Sequence, residues 1–175
     1  MTALALALTL AWPIPVDVCF NYGCAAHATA VLDSPVMNAA GELLAEADTP
    51  ASERIALALV VGQIIGAVAA QTPIHQDRPR NALAESGVDG RMDCIDHSIN
   101  TDRYLRLLQR LRWLKFHTVG ARARRAPWLV NVHWTATIRE HDGGPEWAVD
   151  TWFRPIGQPA AVLPLAAWRE GAETE

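Results

Sequence analysis

Residues 129–139 alternate between apolar and polar side chains. Val130, Val132, Trp134, Ala136 and Ile138 share one face, and Asn131, His133, Thr135, Thr137 and Arg139 share the other, as in a strand with two unlike faces. Residues 146–153 alternate too, with Trp147, Val149, Thr151 and Phe153 against Glu146, Ala148, Asp150 and Trp152. His141-Asp142-Gly143-Gly144-Pro145 lies between them, and Asp-Gly is a strong tight-turn signal. With Asp142 and Gly143 at the turn centre, Ile138 faces Trp147, Ala136 faces Val149, Trp134 faces Thr151 and Val132 faces Phe153. On the other face Arg139 meets Glu146 and His133 meets Trp152. This register makes His133 and Asp150 same-face diagonal neighbours, about 7 Å apart at the backbone. A slip of one residue would send them to opposite faces.

The remaining pattern predicts a short strand around Val16, Val18 and Phe20, followed by a turn at Asn21-Tyr22-Gly23. Cys19 and Cys24 are close enough in sequence for a small disulfide loop in an oxidising compartment. A helix capped by Thr49 or Ser52 runs to about Ala70. Gln63 is the one polar residue between 55 and 70, and Gly62 and Gly66 form a Gly-x-x-x-Gly step. That step can mark a membrane helix dimer, but the run is short for a span, so a buried central helix is expected. Residues 73–92 read as a long loop. A second helix follows from Asp93 to about Leu114, and a helical turn at 164–168 is expected to pack on the sheet.

Residues 3–11 form an apolar run that resembles the core of a signal peptide, with Thr9-Leu10-Ala11 as a cleavage site and no Lys or Arg before it. The expectation is one domain over 12–175 after a signal peptide over 1–11, in a periplasmic or secreted protein; a cytoplasmic location is the alternative.

Composition narrows the function classes. Of 175 residues, 50% are apolar and 19% charged, which excludes global disorder. A net charge of -4 argues against a coat for nucleic acid. With 3 cysteines the chain is no disulfide scaffold. The basic run Arg103, Arg106, Arg110, Arg112, Lys115, Arg122, Arg124, Arg125 reads as the solvated side of the second helix and the loop after it. No nucleic-acid partner and no membrane span are expected.

The second helix begins with Asp93-Cys94-Ile95-Asp96-His97. Asp93 suits the N-cap and Asp96 the third helical position, an acidic form of the capping box. Cys94, His97, Ser98, Thr101, Leu105, Leu108 and Leu111 share one face, polar at its start and apolar at its end. A thiol at a helix start meets unpaired N–H groups and the positive end of the dipole, which favour thiolate; the flanking aspartates oppose this. His133 beside Asp150 is a histidine whose tautomer a carboxylate can fix. A Cys/His metal site drawn from Cys94, His97, His117, His133 and His141 is an alternative, although the spacing matches no standard zinc pattern. A non-catalytic binding module is another, since all but one of the 7 Trp lie after residue 112.

Cys94 at a helix start, His133 on a strand and Asp150 on the next strand resemble the transglutaminase-like branch of the papain-like fold, and within it the bacterial transglutaminase-like cysteine proteinases. Asp93-Cys94-Ile95-Asp96-His97 is similar to their Asp-Cys-x-Asp-Tyr block, with His97 in place of Tyr. His133-Trp134-Thr135-Ala136 and Trp147-Ala148-Val149-Asp150 are similar to their His and Asp strands. The resemblance covers about residues 90–155, and the whole chain also resembles a bacterial family, which implies nothing about substrate. It implies an α+β papain-like core, a catalytic helix on an antiparallel sheet, and a cysteine protease or amidase acting on a peptide, protein or peptidoglycan-peptide substrate. Cys94 would be the nucleophile, His133 the acid and base, and Asp150 the orienter; an amine in place of water would make the same site a transglutaminase. Gln76, Asn81, His97 and Trp152 are candidates for oxyanion or substrate contacts. No cofactor is expected apart from calcium, for which Asp93 and Asp96 are the candidate ligands.

Overall fold

The structure, a computed structural model, describes residues 13–126 and 132–173. The apolar run over 3–11 and the expected strand positions 129–131 lie outside the described residues. Strands β1 (Ile14–Phe20) and β2 (Ala26–Leu32) form an antiparallel hairpin. Helices α1 (Ser34–Ala45) and α2 (Pro50–Ala69) follow. Two short 3-10 turns punctuate the next loop, and then comes α3 (Cys94–Arg110). The rest is sheet: β3 (His117–Val119), β4 (Ala123–Arg125), β5 (His133–Glu140), β6 (Glu146–Asp150) and β7 (Ala161–Pro164), closed by α4 (Leu165–Arg169). The class is α+β.

The strand order is β3-β5-β6-β7, all antiparallel, and β4 also pairs with β5. One sheet face contributes Ala136, Ile138 and Val149 to the main core, with Leu57, Val60, Val61 and Ile64 of α2 and Leu105 and Leu108 of α3. The other face is covered by α4, through Leu165 and Trp168 packed with Ala123 and Ala148. Thr135 and Thr137 are buried although they lie on the polar side of the alternation, and their hydroxyls donate to the Val149 and Ala121 carbonyls at 3.0 and 2.8 Å.

The hairpin register is the expected one: Ala136 pairs with Val149, Ile138 with Trp147 and Arg139 with Glu146, with Asp142 and Gly143 both at positive φ in the turn. The expected pairs Trp134–Thr151 and Val132–Phe153 do not form. β6 stops at Asp150, whose side chain accepts from the Trp152 N–H at 3.1 Å and turns the chain away. α3 also ends earlier than expected, at Arg110 rather than Leu114. Arg112 takes φ 59, and the Arg112 and Trp113 N–H groups donate to Gln109 and Leu108 carbonyls at 2.9 and 3.1 Å, a Schellman closure.

Thr49 caps α2, with Ser52 completing a capping box. By length and composition α2 could cross a bilayer, but half of it is packed inside the fold. Its Gly-x-x-x-Gly step serves an internal contact. A Cβ on Gly62 would lie 2.5 Å from the Gln158 carbonyl oxygen, and one on Gly66 3.4 Å from Gly157 Cα, so the glycines let the 157–160 segment lie against the helix. Ala160 N–H donates to the Ala58 carbonyl there at 3.0 Å.

Two polar devices matter below. Glu53, fully buried on α2, accepts from the Lys115 and Phe116 N–H groups and from His117 Nδ1 at 2.7 Å; Arg54 bridges to Glu140 and stacks on Trp147. At the β1–β2 hairpin, the Asn100 amide clamps both backbone groups of Cys19, at 2.9 and 2.8 Å. The Gln71 amide does the same to Val31 on β2, at 3.0 and 2.9 Å.

Candidate active site

The capping box sets the position of Cys94. Asp93 accepts from the Ile95 and Asp96 N–H groups at 3.0 and 2.9 Å, and Asp96 reaches back to the Asp93 N–H at 3.2 Å. Cys94 is thereby the first residue of α3. Its Sγ lies 3.9 Å from the Val132 carbonyl oxygen, and the Trp134 N–H also points at it. The sulfur therefore sits against the backbone on either side of His133, where β5 begins. The helix covers the Ala136/Ile138 face while its first residue meets the end of the strand, so a polar His133 face and a catalytic helix are compatible.

His133 Nε2 bonds Asp150 Oδ2 at 2.6 Å. Asp150 is nearly fully buried and also accepts from Trp168 Nε1 at 2.9 Å. The His133 ring lies among Trp152, Phe153 and Trp168, at centroid separations of 4.8, 5.2 and 5.6 Å. With Nε2 committed, Nδ1 has no partner among the described residues. Cys94 and His133 line one cleft of about 590 Å³, with Tyr22, Arg80, Asn81, Leu83, Asp93, Arg125, Val132, Trp152 and Glu173.

The electrostatics differ from the helix-start expectation. Burial pushes the Cys94 thiol above its ordinary range, the Trp134 N–H works against this, and the Asp93 and Asp150 charges add to it. Burial and the two neighbouring charges thus favour the protonated thiol over the thiolate. Asp93→Asn keeps an N-cap acceptor and removes one opposing charge. Alkylation of Cys94 by iodoacetamide at pH 8 is expected to quicken about twofold, with thermal stability nearly unchanged; an unchanged alkylation rate would show that the Asp93 charge does not reach the sulfur.

The other candidates divide. Trp152 lines the cleft, and its buried Nε1 has no partner. Asn81 lines it too, but its amide nitrogen donates to Asp77 and to the Met92 carbonyl, so both donors are used and only its unpartnered Oδ1 remains. Gln76 is exposed and is not among the lining residues. His97 is buried facing inward, bonding Asp77 at 3.0 Å and Thr151 at 3.0 Å; it fastens the 77–92 loop and the chain just past β6 to α3, away from the cleft. His117 pairs with Glu53, His97 with Asp77 and His133 with Asp150, so these three candidate ligands are each engaged by a carboxylate and not gathered around Cys94 as a metal set would be.

Cys19 and Cys24 form the expected disulfide. It closes a turn in which Asn21, Tyr22, Gly23 and Cys24 all have positive φ, so successive N–H groups face one side. Asp96 fills that concavity, accepting from the Tyr22 and Cys24 N–H groups. Burial pushes the Asp96 carboxyl up to about 6 despite these donors. The Asp96 oxygens, and the Asp93 oxygen turned into the helix, already take N–H donors, which does not fit the expectation that the pair ligates calcium. The same turn presents Tyr22, whose hydroxyl donates to the Ala82 carbonyl at 2.6 Å and joins the turn to the 80–83 wall of the cleft.

Sequence reasoning missed Arg80, Arg125 and Glu173. Arg125 was visible only as part of the basic run, and its register partner His133 is what brings it to the site. Comparison of the chain with family models, curated proteins and solved structures found no match.

Proposed function

We propose that the protein is a thiol amidohydrolase, a cysteine peptidase or amidase built on a transglutaminase-like, papain-like core. The observation that carries this is the His133–Asp150 pair at 2.6 Å, with Nδ1 left open, in the cleft that Cys94 lines at the end of β5. Asp150 holds the proton on Nε2, so Nδ1 is a base. Nδ1 takes the Cys94 thiol proton as sulfur bonds to an amide carbonyl carbon. The oxyanion forms beside the Cys94 N–H, which the first position of α3 leaves without a helical partner. Collapse breaks the C–N bond, the amine leaves with the proton from His133, and a thioester remains. Water, deprotonated by Nδ1, then releases the acid and restores the thiol; an amine acceptor in its place would give transamidation.

The proposed substrate is an amide of a peptide, a protein or a peptidoglycan peptide. Export to the periplasm or beyond is part of the same reading, supported by the Cys19–Cys24 disulfide. The raised Cys94 thiol favours one other reading, a binding cleft with no chemistry.

The test is to incubate the protein with a peptide mixture, quench in acid and search Cys94 for an acyl adduct by mass spectrometry. An adduct in the parent protein that is absent from His133→Ala supports the enzyme. No adduct, with equal alkylation rates for parent and His133→Ala from pH 6 to 10, would leave the binding reading.

A further inference from the structure

The cleft beside Cys94 carries a second constellation that the chemistry above does not use. Arg80 and Arg125 both reach the Glu173 carboxylate, at 2.8 and 3.4 Å, and all three residues line the cleft. We propose that Arg80 and Arg125 form a carboxylate-binding subsite, that Glu173 occupies it in the free protein, and that the substrate is a peptide with an acidic group next to the scissile amide. This rests on the thiol amidohydrolase reading.

The two arginines are fixed differently from the acid they hold. Arg125 has a side chain only 6% exposed. Its Nη1 donates to the Trp168 and Ala172 carbonyls at 2.6 and 3.1 Å, and its guanidinium lies 4.8 Å from the Trp168 ring centroid. Its Nε is buried without a partner, so the group is under-satisfied even with Glu173 present. Arg80 is set by its backbone: φ is 58, its N–H donates to the Trp152 carbonyl at 3.0 Å, and its guanidinium stacks over Phe153 at 4.8 Å. Arg80 and Glu173 are the exposed partners, at 52% and 37%, and Glu173 lies on a segment that has left α4. An exposed ion pair is worth little, so this occupant can be exchanged. Two arginines prepositioned in a half-enclosed cleft favour an anion.

Position says where the anion belongs. Arg125 pairs directly with His133 across β4 and β5, and Arg80 is bonded to the backbone of Trp152. Directly opposed residues have Cβ atoms about 5 Å apart. A carboxylate held here belongs to a residue adjoining the amide at Cys94. The other charged residue lining the cleft, Asp93, opposes a second anion on the Cys94 side.

The test reads occupancy without needing catalysis. Blocked alanine pentapeptides with a central Glu or a central Gln are added to the full chain, and protection of Cys94 from iodoacetamide at pH 9 is followed by mass spectrometry. Half-protection is expected at about tenfold less Glu peptide than Gln peptide. Glu173→Gln frees the subsite and lowers the Glu-peptide requirement about threefold further. Arg80→Asn, which suits the left-handed backbone and removes the charge, erases the difference between the peptides. Both substitutions fall on exposed residues, so the fold is retained. Equal protection by the two peptides in Glu173→Gln, or none by either, overturns the subsite. A missing acyl adduct on Cys94 together with Glu-selective protection instead overturns the catalytic reading and leaves the subsite standing.

Discussion

Asp150→Asn is expected to lower amide hydrolysis by about 10³- to 10⁴-fold while the protein stays folded. Both oxygens of Asp150 are acceptors: Oδ2 takes His133 Nε2 and Trp168 Nε1, and Oδ1 takes the Trp152 N–H. Asparagine has one acceptor, so its NH₂ must face one of these donor sets. If it faces His133, the ring has to accept at Nε2 and carry its proton on Nδ1, where it cannot act as a base. If it faces Trp152, the turn that ends β6 loses its bond and Trp152 shifts in the cleft. Asp150→Ala is expected to cost about 3–5 kcal/mol of stability as well, because two ring N–H groups are left buried and unpaired. Steady-state rates on the best peptide found, with urea melts alongside, separate the two effects. Activity of Asp150→Asn within tenfold of the parent would remove the orienting role.

Glu53→Ala is expected to be the most destabilising change remote from the cleft, by about 3–5 kcal/mol in urea unfolding. Burial alone would raise this carboxyl. The His117 hydrogen bond and the Lys115 and Phe116 N–H groups outweigh burial and hold it below its ordinary 4.5. A carboxyl lowered by folding contributes stability above its unfolded value, and the contribution is lost as pH falls through the folded value. The parent should therefore lose stability on acidification below about pH 4.5. Glu53→Gln should show a shallower acid limb from a lower starting point. An unchanged limb would mean that other carboxylates govern acid unfolding.

The parts of the fold that were legible in the sequence are those where one local signal dominated. The 129–153 pattern determined the register of β5 and β6 because an Asp-Gly turn and two alternating runs agree, and that register alone brought His133 to Asp150. Asp93 and Asp96 marked the start of α3 by their spacing. The strand β2 was not foreseen, since Ala26, Ala28 and Ala30 alternate without bulk. Nor was α1, which offers neither an acid in its first turn nor a base in its last. The short strands β3, β4 and β7 were also missed; three or four residues carry too little periodicity. At the site, Cys94, His133 and Asp150 were readable because their elements were. Arg80 and Glu173 were not, because a loop residue at positive φ and a residue beyond α4 reach the cleft only through tertiary contacts. His97 was misjudged for the same reason: its helix face was right, but its partners Asp77 and Thr151 come from elsewhere in the chain.

The amide clamps on Cys19 and Val31 have a bearing on how the protein behaves at high concentration. A two-stranded sheet has two open edges, and an open edge is a template onto which another chain's strand can add. Here Asn100 and Gln71 each imitate one residue of a neighbouring strand, offering an acceptor and a donor to the same backbone pair. Pro15, opposite Val31, has no N–H to offer on the other edge. Val31 is 41% exposed on such an edge, the kind of site from which intermolecular β-pairing spreads, yet its backbone is already engaged. The hairpin that carries the wall of the cleft is thereby shielded from self-association by two side chains rather than by another strand.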